Sequence, residues 1–178
     1  MNYCNIKFHA IEDGIGCRTV LFVSGCRHHC KGCFQPQTWN FDYGEPYTDE
    51  TESVIIDSLA DKYVSGVTLL GGEPFEPENQ AELRGLVERI KAIYPDKDIW
   101  AYSGYTFEEL VSDKSPCHTS DTMPMLNCID VLVDGEFIES RMSKMLPFRG
   151  SDNQRIIDVQ KSLQNNDIIL SEYHNRNR

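Results

Sequence analysis

The chain has 178 residues, 40% of them hydrophobic and 25% charged, a make-up that supports one compact domain with a full core and excludes collagen-like, coiled-coil and wholly disordered chains. Seventeen basic residues against 28 acidic ones leave a net charge of −11, which argues against broad attraction to nucleic acid or an anionic membrane, so neither is expected as a partner. No run approaches the ~18 consecutive apolar residues of a membrane span, and Met1 to Ala10 has neither the basic region nor the apolar run of a secretory signal. A cytoplasmic location is expected. Seven cysteines, an odd number, suit reduced thiolates with a ligand task better than a disulfide framework.

In chain order, the first strongly apolar run is Arg18 to Ser24 (RTVLFVS), β-branched, aromatic and bounded by Gly14, Gly16 and Gly25, which predicts a buried strand. Asp49 to Tyr63 carries Ile55, Ile56, Leu59 and Tyr63 at helical spacing, with Asp49 and Glu52 as a capping pair. Val67 to Leu70 reads as a short strand stopped by Gly71 and Gly72. Pro77 then opens a helix with Leu83, Leu86, Val87, Ile90 and Ile93 on one face. Asp98 to Tyr102 repeats the plan, followed by Ser103-Gly104 and a short helix from Thr106 to Val111; Ile129 to Val133 predicts another strand. Ser112 to Met125, polar and with two prolines, reads as a surface loop, and residues 164–178 as a loose tail after a single domain over 1–163.

The alternation of strand and helix predicts an α/β fold of mostly parallel strands joined by helical crossovers, either an open doubly wound sheet or part of a (β/α) barrel. In both, ligands sit at the carboxyl ends of the strands.

The chemistry starts where the first strand ends. Cys26, Cys30 and Cys33 stand in SGCRHHCKGCF at C-x3-C-x2-C spacing, in a loop that Gly25 and Gly32 allow to curl tightly. Zinc prefers four ligands, usually two separated pairs, and only one C-x2-C pair is present. For an iron–sulfur cubane, three thiolates leave a fourth iron open to a small molecule. A structural zinc site completed by His9, His28, His29 or Cys17 remains the alternative at this point.

This spacing after a strand resembles the radical S-adenosylmethionine superfamily. The resemblance implies an incomplete (partial) (β/α) barrel, one [4Fe–4S] cluster held by Cys26, Cys30 and Cys33, and S-adenosyl-L-methionine chelated to the open iron. Phe34, just after Cys33, is similar to the aromatic such enzymes place beside the adenine, and Gly71-Gly72-Glu73-Pro74 is similar to the stretch that meets the methionine amino group. Gly32, Cys33, Phe34, Gly71, Gly72, Glu73 and, by position, Ser103 are therefore the expected cofactor contacts, and a bulky residue at Gly72 is expected to weaken cofactor binding with the cluster intact. No protein side chain beyond the cluster ligands is expected to be catalytic.

The opening Asp13-Gly14-Ile15-Gly16-Cys17-Arg18, then LFVSGC, resembles the activases of glycyl radical enzymes, with Ile15 where many members have proline. CFQPQTWNF, KDIWAYSGYTFEEL, IDVLVDGEF and FRGSDNQRIID are similar to those acting on anaerobic ribonucleotide reductase. The implied partner is the large subunit of anaerobic ribonucleoside-triphosphate reductase, with a low-potential electron donor such as flavodoxin or ferredoxin. The alternatives are an activase of the pyruvate formate-lyase type, a small-molecule radical enzyme and, in another class, a zinc-stabilised binding module.

Other positions are weighed equally with, or below, ordinary roles. Asp134 at a strand end is as much a turn residue as a ligand contact. Arg149 and Arg155 flank a polar loop, and Trp39 and Phe41 read as core rather than as a partner-facing patch. Cys4, Cys17, Cys117 and Cys128 lack close pairing, and His28 and His29 read as loop surface.

Overall fold

A computed structural model describes residues 1–175. Strand β1 (Asn2–Ala10) runs antiparallel to β2 (Cys17–Val23), and the short β3 (Glu45–Pro46) pairs with Asn2 and Tyr3 at the edge. Strands β4 (Val64–Gly71), β5 (Asp98–Tyr102) and β6 (Val131–Asp134) lie parallel to β2 and to one another, and β7 (Arg155–Asp158) returns antiparallel on β6. The sheet order is β3-β1-β2-β4-β5-β6-β7. The expected α/β arrangement is present, with four parallel strands at its centre and antiparallel strands at both edges; the sheet is not closed into a barrel.

The parallel strands are near-continuous apolar runs because both of their faces are covered. Leu21 and Val23, Val67 and Leu69, Ile99 and Ala101, Leu132 and Ile157 form one core with the helices α1 (Asp49–Ser58), α2 (Pro77–Ile93) and α4 (Thr122–Cys128). The alternate residues Trp100, Val133 and Ile156 build a second cluster with Ile15, Phe148 and Tyr173. Arg18 is fully buried beneath it, 2.6 Å from Asp98, donating to Thr68 Oγ1 and the Val67 carbonyl at 2.7 and 2.8 Å with its guanidinium against Trp100. An internal cation is tolerable only with that complete a shell.

Several boundaries differ from the sequence reading. Thr48, not Asp49, caps α1, accepting the Thr51 N–H at 3.3 Å, while Glu52 is buried against Arg89 at 2.6 Å. That helix ends at Ser58 because Asp61 bends the chain, its carboxylate accepting the Tyr63 N–H at 2.9 Å, and Tyr63 is left exposed. The helix α3 (Phe107–Val111) starts as expected, on a capping box between Thr106 and Glu109. Residues 112–125 are not a surface loop: Cys117, Thr122 and Met125 are buried, and Gln80 on α2 donates to the Cys117 carbonyl at 2.7 Å and accepts the hydroxyls of Thr119 and Thr122. Thr119 and Thr122 turn to that polar partner, while Asp113, Lys114, Pro116 and Ser120 stay exposed.

A helix α5 (Val159–Asn165) follows β7, and the chain then docks rather than trailing loosely. Asp158 N–H donates to Ile169 at 2.9 Å, Ser171 N–H to Ile156 at 2.8 Å, and Tyr173 lies 5.5 Å from Trp100. Residues 176–178 of the expected tail lie outside the described residues. No helix among the described residues is long and apolar enough to cross a membrane.

Candidate functional site

The loop after β2 is held by its own backbone before any ligand is considered. Gly25 N–H donates to Thr38 at 2.7 Å and Cys26 N–H to Trp39 at 3.3 Å, which folds the segment around Pro36–Trp39 back beneath the cysteines. Gly25 has φ +92°, and a β-carbon there would lie 2.3 Å from the Phe41 ring. Arg27 N–H donates to Glu76 Oε1 at 2.7 Å, and its guanidinium bridges Glu76 and Glu78 while lying 4.5 Å over Phe41. The start of α2 thus anchors the spacer between the first two cysteines.

Cys26, Cys30 and Cys33 all face one cavity of about 600 Å³ at the carboxyl ends of the parallel strands, as the strand-end rule anticipates. Phe34, Gly71, Glu73 and Ser103 share its wall, with Phe22, Leu70 and Tyr102 on the sheet side. Phe34 is exposed and lies 5.2 Å from Phe137. Gly32 and Gly72 do not line the cavity. Gly32 turns the loop at φ +74° against Glu139, and Gly72, between the lining residues Gly71 and Glu73, donates its N–H to Val23 at 2.8 Å.

Glu73 is buried and its carboxylate is held at both oxygens. Oε1 accepts the Phe75 N–H and the Ser103 hydroxyl, each at 2.9 Å, and Oε2 accepts the Gly104 N–H at 2.6 Å. Burial first, then this carboxylate, push the Cys26 thiol up to about 12. Burial likewise raises Cys30, opposed by a hydrogen bond from the Phe137 backbone. Cationic metal is the counter-charge that such desolvated thiols require to ionise, and metal binding releases their protons.

All seven cysteines are free, and among the described residues no three His, Cys, Asp or Glu side chains converge on a single ion position, the loop thiols included. Three thiols lining one cavity are the donor set a cubane takes on three of its irons, which leaves the fourth iron open.

His28 departs from the sequence reading. Its side chain is only 10% exposed, with Nδ1 2.9 Å from Glu136 and Nε2 3.2 Å from Glu73. Burial opposes its charged form, but the two carboxylates outweigh burial and raise it to about 9. His29 stacks on Trp39 at 4.5 Å, so that indole braces the loop from behind. Asp134 is buried, accepting the Phe107 N–H at 2.8 Å and pairing with Arg155, which settles it as a fastening of the strand end. Arg149 lines the cavity while donating to the carbonyls of Gln154 and His174 at 3.0 and 2.8 Å. The cavity wall formed by Met142, Leu146 and Phe148 had no local signal in the sequence beyond a polar loop.

A strand-end cavity walled by three free thiols is a donor set suited to a metal cluster. The sequence matches the family described as a 4Fe-4S single cluster domain over residues 12–157. The anaerobic ribonucleoside-triphosphate reductase-activating protein of Enterobacteria phage T4 is 40% identical over 156 residues, 88% of this chain and 93% of the phage protein. The proteins of that name from Vibrio cholerae, 42% identical over 158 residues, and Escherichia coli K12, 40% identical over 156, span 88% and 86% of this chain and 97% and 96% of their own lengths. The chain belongs to the family of anaerobic ribonucleoside-triphosphate reductase-activating proteins. The cluster family displaces the zinc-staple alternative.

Proposed function

We propose that this chain is an iron–sulfur activase that cleaves S-adenosylmethionine reductively and installs a glycyl radical on the large subunit of an anaerobic ribonucleoside-triphosphate reductase. The observation that carries the reading is the convergence of Cys26, Cys30, Cys33, Phe34 and Glu73 on one cavity in a chain 40% identical to activating proteins over most of its length. The four parallel strands, open at the cavity side, suit the partial (β/α) barrel of the radical S-adenosylmethionine type.

When bound, the cluster and cofactor would supply the hard chemistry, the one-electron cleavage of S-adenosylmethionine to methionine and a 5′-deoxyadenosyl group that would take a hydrogen atom from the reductase glycine. The chain's own residues bind, orient and exclude. Cys26, Cys30 and Cys33 hold the cluster; Glu73, positioned by Ser103 and Gly104, offers negative charge to the ammonium of the cofactor; Phe34 gives an apolar face to its adenine. Phe22, Leu70 and Tyr102 keep water from the cavity floor, where a primary radical would otherwise be quenched. Gly32 and Gly72 serve this site by letting loops turn and approach. The electron comes from a low-potential donor such as flavodoxin or ferredoxin, and free thiols suit a reducing cytoplasm.

The test is anaerobic reconstitution, iron and sulfide analysis, then reduction with S-adenosylmethionine and the reductase present. Cluster, 5′-deoxyadenosine and a glycyl radical signal by electron paramagnetic resonance are expected. A cluster that yields 5′-deoxyadenosine but no radical on that reductase would redirect the reading to another glycyl radical enzyme, and no cleavage at all would overturn it.

A further inference from the structure

The spacer between Cys26 and Cys30 carries a side chain that belongs to three strand ends at once. The His28 ring approaches Glu73 after β4 at 3.2 Å and Glu136 after β6 at 2.9 Å, and lies 4.4 Å from the Tyr105 ring after β5. A β-carbon on Gly104 would stand 2.5 Å from His28 Cδ2, so the absence of a side chain there makes the room the imidazole occupies. Nε2 is buried and makes no aligned hydrogen bond among the described residues, so its 3.2 Å approach to Glu73 is a charge contact. The same ring is shared by the 600 Å³ cavity and by a neighbouring groove of about 780 Å³ whose walls include Asn153 and Arg155.

A histidine that merely filled a gap would need none of this polar surrounding; leucine or phenylalanine would fill the volume. Phe75, Ser103 and Gly104 hold the Glu73 carboxylate from its own strand end and from β5, and His28 is the side chain that reaches it from the cysteine loop. We infer that His28 is a positioning residue: it fixes the Glu73 carboxylate toward the cofactor cavity and couples that carboxylate to the loop bearing the cluster ligands. The inference rests on the activase reading and adds to it a residue that is neither a cluster ligand nor part of the Gly-Gly-Glu turn.

The test uses the full chain, reconstituted without oxygen, as wild type, His28→Phe, His28→Gln, Glu73→Gln and the His28→Phe/Glu73→Gln pair. Iron and sulfide are counted, and S-adenosylmethionine is titrated against the reduced cluster's electron paramagnetic resonance signal to obtain a dissociation constant. The expected result is a normal cluster content throughout, at least tenfold weaker cofactor binding in His28→Phe, partial recovery in His28→Gln, whose amide still donates, and a double variant little weaker than Glu73→Gln alone. Unchanged affinity in His28→Phe, fully additive losses, or loss of the cluster in both His28 variants would overturn the inference. A wild-type protein that assembles its cluster and binds no S-adenosylmethionine would overturn the activase reading itself, before any variant is compared.

Discussion

Gly72 lies against Gly25 so closely that a β-carbon on Gly72 would stand 2.5 Å from the Gly25 carbonyl oxygen, which also accepts the Glu73 N–H at 2.8 Å. The cysteine loop and the Gly-Gly-Glu turn therefore share one backbone seam. Gly72→Val is expected to force the two loops apart, destabilising the fold by about 1–3 kcal/mol. It should lower iron content as well as cofactor affinity, whereas the motif alone suggested loss of cofactor binding only. Iron analysis and a urea unfolding midpoint on the same preparation decide between them.

Cys30→Ala removes one of the three thiols and leaves Phe137 N–H facing a methyl group. The expected outcome is loss of the [4Fe–4S] absorption and of 5′-deoxyadenosine formation, with a far-ultraviolet circular dichroism spectrum like wild type. Retention of a normal cluster spectrum would remove Cys30 from the ligand set.

Arg155 is bidentate to buried Asp134 and also grips Glu108 at the start of α3. Arg155→Ala leaves Asp134 buried and short of its counter-charge, and should cost about 3 kcal/mol in chemical denaturation. Glu108→Gln, at the exposed end of the network, should cost well under about 1 kcal/mol.

Asp13 lies at the cavity edge with Oδ2 buried and unpaired, and burial, then Glu12, raise its carboxyl above the usual range. A raised carboxyl holds its proton more tightly in the folded state, so the contribution favouring the fold is complete below the unfolded value near about 4 and is lost as pH rises through the folded value. Asp13→Asn should therefore stabilise the protein at pH 7.5 by up to about 1 kcal/mol and give no gain near about pH 3.5. Thermal melts at the two pH values read the difference.

Gly85 sits within α2 with open space where its β-carbon would be. Gly85→Ala should raise stability by about 0.5–1 kcal/mol without altering cluster or cofactor binding, because it restricts the unfolded chain and strengthens the helix. A loss of stability would show that α2 needs that gap.

Much of the architecture was legible from local pattern. The Asp98–Tyr102 strand and the Pro77 helix stand where periodicity placed them, because each is a run whose apolar spacing matches its own geometry. Strand β1 was missed since nearly all of it is exposed or half-exposed, and β7 and α5 since four and seven residues carry too little pattern. Residues 112–125 misled for a different reason. Thr119 and Thr122 look solvated until Gln80, 39 and 42 residues earlier, turns out to be the group they satisfy.

The sequence by itself determined the grouping of three thiols and the order of the central strands' elements, because both are written in contiguous residues: three cysteines within eight positions, and apolar runs punctuated by glycine and proline. It also carried the family, through motifs spread over most of the chain. Only the tertiary structure decided that Glu73 is buried and held by Phe75, Ser103 and Gly104, that His28 faces inward, and that Gly72 packs against the Gly25 backbone. Those outcomes depend on which loops meet at neighbouring strand ends. Parallel pairing of β2, β4, β5 and β6 brings together residues 30 to 108 positions apart, and no local periodicity encodes that meeting.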